Sequence, residues 1–131
     1  MGKGHILLVE DNAMVRRSIE ATLRGLGYRV TAVACGADCI QTVETASEPV
    51  DLLITDVIMP QMNGKELTDR VRAVAAGLPV LYMSGYDRLS LAGPEKPTMV
   101  EHFLQKPFDS DELSAAVLKA MTTKHRGSAE E

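Results

Sequence analysis

Apolar side chains along this chain come in five short runs: HILLV at 5–9, VTAVA at 30–34, DLLIT at 51–55, PVLYM at 79–83 and EHFLQ at 101–105. The runs are rich in Val, Ile and Leu and mostly do not alternate with polar residues, as strands buried on both faces do not. Between them the period lengthens. Val15, Ile19, Leu23 and Leu26 fall on one helical face, as do Leu67, Val71 and Val74, and Leu113, Ala116, Val117 and Ala120. A weaker helical segment covers 37–46, with Ile40 and Val43 as its apolar contacts, while Gly93, Pro94 and Pro97 leave room for only a short helix near Asp87–Leu91.

Punctuation agrees with this pattern. Gly27 and Gly77 follow the last periodic residues, where a left-handed cap residue is favoured, and Pro79 blocks continuation of the preceding helix. In FDSDEL, Asp109 or Ser110 can cap the free N–H groups of the last helix, and Asp111 and Glu112 suit its positive first turn. Strand and helix alternating in this way predict a parallel sheet covered on both faces and joined by right-handed crossovers. The expected class is α/β, a flavodoxin-like doubly wound five-stranded sheet of order 2-1-3-4-5 with helices on both faces.

Such sheets bind ligands beyond the carboxyl ends of their strands. At those ends stand Glu10 and Asp11 after the first strand, Asp56 after the third, Ser84 after the fourth and Lys106 after the fifth. Cys35 and Gly36, after the second, offer nothing comparable, and the second strand is an edge in this order. Three carboxylates crowded together repel one another unless a cation or a proton intervenes. An all-oxygen set suits Mg²⁺, with Mn²⁺ as the alternative. Lys106 and Ser84 can each hold an oxygen of a transferring phosphoryl group, so the site reads as one for phosphoryl transfer. Asp56, central in the sheet, fits best as the attacking carboxylate.

Composition narrows the partners. The 131 residues hold 14 basic and 18 acidic side chains, a net charge of -4, and no basic stripe of the kind that neutralises a phosphate backbone, so direct nucleic-acid binding is not expected. No apolar stretch reaches the roughly 20 residues that span a bilayer, nor does MGKGHILLVE read as a signal peptide. A cytoplasmic protein without membrane insertion is expected. Cys35 and Cys39 lack further ligands at zinc-site spacing, and His5, His102 and His125 are scattered, so the cysteines read as small, mostly buried thiols and His102 as a half-buried edge-strand residue.

Four separated motifs, LLVEDN, LLITDVIMPQMNG, LYMSGY and FLQKPF, in this order and spacing, resemble the receiver domain of two-component response regulators over residues 4–122. YMSGY and FLQKPF are more similar to receivers attached to hybrid sensor histidine kinases than to those carrying DNA-binding outputs. The resemblance implies that Asp56 accepts a phosphoryl group from a phosphohistidine on a histidine kinase or a histidine phosphotransfer domain. It implies Mg²⁺ on Asp11, Asp56 and the backbone carbonyl of Ile58, with Glu10 acting through water, and a slow self-catalysed hydrolysis. It also implies a switch in which the Ser84 position moves toward the phosphoryl group and Phe103 turns inward. Family members commonly carry Tyr where Phe103 stands, so switching here runs through packing and not through a phenol.

As an isolated domain such a chain is a self-phosphorylating and self-dephosphorylating acceptor and not an enzyme; a longer parent could be a histidine kinase. The expected division is a receiver at 4–122 and a disordered polar tail at 123–131, in either a stand-alone receiver or a piece of a longer protein. A second copy, or another domain of the same chain, is expected to dock on the last two helix–strand units. Ile58 and Tyr86 flank the site as regulators of water access, with Met59 and Met62 as apolar filler. A phosphatase of the haloacid-dehalogenase type would place its nucleophile after the first strand as D-x-D, and VEDNA has no acid two residues beyond Asp11. A flavin- or nucleotide-binding protein of the same architecture would need a Gly-rich phosphate loop where EDNAMV presents acids.

Overall fold

The computed structural model describes residues 4–45, 49–56, 64–84 and 102–122. Along the chain run β1 (His5–Val9), α1 (Ala13–Gly25), β2 (Arg29–Val33), α2 (Gly36–Thr45), β3 (Leu52–Asp56), α3 (Gly64–Val74), β4 (Val80–Ser84), β5 (His102–Gln105) and α4 (Ser110–Thr122). The strands form one sheet of order β2-β1-β3-β4-β5, every pairing parallel. The expected class and strand order are therefore the observed ones. The short helix expected near 87–91, Met59, Met62, Tyr86 and the tail at 123–131 lie outside the described residues.

Burial on both faces explains why the strand runs do not alternate. Ile6 and Leu8 of β1, Leu52 and Ile54 of β3, and Leu81 and Met83 of β4 point into a core shared with Ile19 and Leu23 of α1 and Leu113, Val117 and Ala120 of α4. Their neighbours Leu7, Val9, Leu53, Val80 and Tyr82 point the other way, into a core shared with Cys39 of α2 and Leu67 and Val71 of α3. Period-two alternation of direction thus becomes two apolar layers separated by one sheet. Within the second layer the hydroxyls of Tyr82 and Thr68 pair at 2.7 Å, so neither enters the apolar interior alone.

Three local expectations change. β2, β3 and β4 sit one residue off the apolar runs, so that Arg29, Asp56 and Ser84 lie inside strands and Ala34, Asp51 and Pro79 outside them. The second helix begins at Gly36 and ends at Thr45. Val74, placed by period with Leu67 and Val71, is 49% exposed, because the packed stripe runs from Leu67 through Val71 of α3 to Ala75 just past its end and leaves Val74 at its edge.

The helix ends follow the caps. Gly27 and Gly77 take φ of 102° and 80°, which glycine adopts without a Cβ clash. Asp109 accepts the Glu112 N–H at 2.8 Å while Glu112 accepts the Asp109 N–H at 2.9 Å, a reciprocal box at the start of α4. At the opposite end of the sheet from Asp56, the buried His5 ring bridges strands, with Nδ1 3.2 Å from the Pro49 carbonyl and Nε2 2.8 Å from Thr31 Oγ1. A carbonyl can only accept, so Nδ1 carries a proton, and Nε2 pairs with the Thr31 hydroxyl, which can donate or accept. His5 is a structural bridge remote from the acids.

Candidate functional site

The acid pair is built by the turn from β1 into α1. Asn12 takes an extended conformation and its side chain accepts the Val15 N–H at 3.1 Å, which starts the helix immediately after the acids. Glu10 is held at both ends. Its N–H donates to the Val33 carbonyl at 3.1 Å and its own carbonyl accepts from Arg16 Nη1 at 2.8 Å. The Glu10 side chain, with the residue only 1% exposed, accepts the Asn12 N–H at 3.1 Å. Asp11, next in the chain, is exposed.

Asp56 closes β3, the middle strand, and is 6% exposed. Lys106 follows β5, two strands away, and its long stem brings Nζ to 2.9 Å from both Asp56 Oδ1 and Glu10 Oε1. Neighbouring strands lie about 4.8 Å apart, so a shorter cation at this position could not cross the end of β4 to reach both acids. Carboxylate oxygens of Glu10, Asp11 and Asp56 all lie within 4.8 Å of one another.

One ammonium does not neutralise this cluster. Burial pushes the Asp56 carboxyl up to about 7, helped by its hydrogen bond with Glu10 and opposed by Lys106. In Glu10, burial is outweighed by hydrogen bonds with Asp56, Lys106 and the Asn12 amide, which hold it below the usual carboxylate range. Lys106 is raised despite burial, because both acids hydrogen-bond to its charged form. Without a metal the cluster therefore favours a proton on Asp56 more than an ordinary carboxylate would, because of its burial beside Glu10. A proton stands where the donor set calls for more positive charge: an all-oxygen, largely buried cluster with excess negative charge fits a hard divalent cation such as Mg²⁺.

The structure brings together Glu10, Asp11, Asp56 and Lys106. Ser84 ends β4, paired in register with Gln105, and its side chain lies outside the described residues, as does Ile58. Phe103 lies across from Tyr82 in the β4–β5 pairing and is half-buried against the α2–α3 core layer. Sequence reasoning passed over Arg16 and Asn12. Asn12 carried a signal, a capping side chain just ahead of a periodic segment. Arg16 carried none, because its contact is with a backbone carbonyl.

A family model described as the response regulator receiver domain matches residues 6–118. The chain is 31% identical over 116 residues to the sensor kinase CckA of Brucella abortus, covering 88% of this chain and 12% of that protein. It is also 31% identical over 116 residues to the response regulator receiver protein CpdR of the same organism, covering 88% of this chain and 95% of CpdR. Among solved structures, the receiver domain of a sensor histidine kinase from Pseudomonas aeruginosa PAO1, with a magnesium ion coordinated in its active-site cleft, superposes with a TM-score of 0.77 at 31% identity over 94% of this chain and all of that one. The chain thus spans about one eighth of the kinase CckA and nearly the whole of CpdR.

Proposed function

The chain belongs to the response regulator receiver family of two-component systems, and from that premise we propose that it accepts a phosphoryl group on Asp56 from a phosphohistidine, in a Mg²⁺-dependent reaction. The observation that carries this reading is Lys106 Nζ at 2.9 Å from both Asp56 and Glu10, beside a third acid at the same strand ends. In the transfer, an Asp56 oxygen attacks phosphorus as the P–N bond of the phosphohistidine breaks, and the bonding electrons leave with the imidazole nitrogen. Asp56 must first be unprotonated, and Lys106 stabilises that form. Lys106 then stays beside the new phosphoryl oxygens, where an ammonium offsets the charge of about -1.5 to -2 that the phosphoryl group carries in place of the carboxylate's single charge.

Asp11, Asp56 and the Ile58 carbonyl, with Glu10 acting through water, would hold Mg²⁺, which when bound would supply further positive charge to those oxygens. Manganese would serve the same donor set. Self-catalysed hydrolysis returns Asp56 to its free form, and the change of charge at Asp56 biases a conformational switch through Ser84 and Phe103. Phosphoryl donors are a histidine kinase or a histidine phosphotransfer domain, in the cytoplasm, with a second copy or a domain of the same chain as the readout partner. Direct nucleic-acid binding and membrane insertion form no part of this reading, and among the described residues no helix is long and apolar enough to cross a membrane. The domain alone is a phosphoacceptor and not an enzyme.

Intact mass after incubation with acetyl phosphate and Mg²⁺ tests the proposal. One added phosphoryl group is expected, lost in Asp56→Asn and lost in excess EDTA. Phosphorylation that persists in Asp56→Asn would overturn the assignment of the nucleophile.

A further inference from the structure

The peptide that joins Glu10 to Asp11 is fixed from outside the acid cluster. Its carbonyl oxygen, that of Glu10, accepts from Arg16 Nη1 at 2.8 Å, while the N–H at the other end of Glu10 is tied to Val33 on β2. A peptide is planar, so fixing its oxygen sets the rotation of the whole unit and with it the direction in which Asp11 leaves the strand. Asp11 has need of such a constraint. It is exposed, and among the described residues its carboxylate has no hydrogen-bond partner, yet it lies within 4.8 Å of Glu10 and Asp56 oxygens. Arg16 meanwhile projects into an open polar cavity of about 390 Å³ between β2 and α2, lined also by Asp38, Gln41 and Thr42. It is half-exposed there, so its contact with Glu10 is not a by-product of dense packing.

Resting on the reading of Glu10, Asp11 and Asp56 as the metal's carboxylate ligands, we propose that Arg16 is a positioning residue for that site, orienting the Glu10–Asp11 peptide so that Asp11 faces Glu10 and Asp56. It acts through the main chain and touches none of the three carboxylates. Charge alone gives the opposite expectation. A guanidinium near three acids competes with a divalent cation, so simple loss of its charge would strengthen Mg²⁺ binding. Loss of the positioning contact weakens it. The sign of the change separates the two.

The test is a calorimetric Mg²⁺ titration of the full chain, comparing wild type with Arg16→Met, Arg16→Gln and Arg16→Lys, and repeating Arg16→Met in an Asp11→Asn background. Wild type is expected to bind Mg²⁺, and Arg16→Met to bind it roughly tenfold more weakly, the scale of losing an outer support of a metal ligand. Arg16→Gln, whose amide is too short to reach the carbonyl, is expected to match Arg16→Met and replaces it should that variant not fold. Arg16→Lys keeps one donor and recovers part of the affinity. In the Asp11→Asn background, Arg16→Met is expected to cost little further, because its effect runs through Asp11. Affinity equal to or above wild type in Arg16→Met and Arg16→Gln overturns the proposal, as does an undiminished loss in the Asp11→Asn background, which marks general loosening of the fold. A wild-type chain that binds no Mg²⁺ overturns the metal reading itself, and does so before any substitution is compared.

Discussion

Burial and Glu10 favour the protonated form of Asp56, while Lys106 favours the charged one. With its pKa pushed up to about 7 from an ordinary 3.8, the folded protein keeps a proton that the unfolded chain releases between those two values. Stability of the metal-free protein therefore falls as pH rises from about 4 to about 7 and levels off above. Glu10, held low, acts with the opposite sign and in a different window: its contribution is present above its unfolded value of 4.5 and is lost as pH falls through its lower folded one. Lys106, held high, keeps its contribution below 10.5 and loses it only as pH rises through its raised folded value. Between pH 5 and 7 the Asp56 effect stands alone among these three. Thermal melts in EDTA should show wild type losing stability across that interval, with Asp56→Asn flat across it and the more stable of the two at pH 8. A wild-type curve that climbs from pH 5 to 7 would rule out a proton on Asp56. Since Mg²⁺ binding must displace that proton, the affinity for Mg²⁺ should rise with pH up to about 7 and then level, which the same calorimetric titration at three pH values measures.

Elements were legible wherever local chemistry decides them. The glycine after α1 and the Asp109 cap are nearest-neighbour features and formed as the sequence implied, while the reciprocal bond from the Asp109 N–H to Glu112 goes beyond it. Asp109→Ala should lower stability by about 1 kcal/mol, read as a reduced urea midpoint at unchanged slope. Gly27→Ala, at φ 102°, should cost about 1–2 kcal/mol. Substituting Val74 by Thr serves as the control, within about 0.5 kcal/mol, because that side chain is half in solvent. Val74 also shows where element reading fails. Residues three and four apart both fall near one face, and the layer beneath α3 takes the i+4 stripe of Leu67, Val71 and Ala75, leaving Val74 outside it. Asp56 shows a second failure: side-chain type ended the strand at Thr55, whereas backbone pairing carries β3 to Asp56 opposite Met83.

At the scale of the molecule, parallel topology brings Glu10, Asp11, Asp56 and Lys106, from three separate stretches of the sequence, into one crevice. What the sequence withheld is contact made through the main chain or shared by one long side chain: Arg16 on a carbonyl, and Lys106 on Glu10 as well as on Asp56. That crevice stands on one sheet whose central strands feed two cores at once. Leu53 and Ile54 are adjacent on β3 and fully buried, yet Leu53 packs in the layer with α2 and α3 and Ile54 in the layer with α1 and α4. Truncating either to Ala should cost about 2–5 kcal/mol, a large part of the roughly 5–15 kcal/mol that holds a domain of this size. Because the damaged strand is the shared wall, the loss should not stay in one layer. Native-state hydrogen exchange on Leu53→Ala should show protection falling by a similar factor in α1 and α4 as in α2 and α3, and Ile54→Ala should give the same pattern. Protection lost only in the layer that the truncated side chain faces would mean that the two cores open separately, and the sheet would then not be the unit that carries the site.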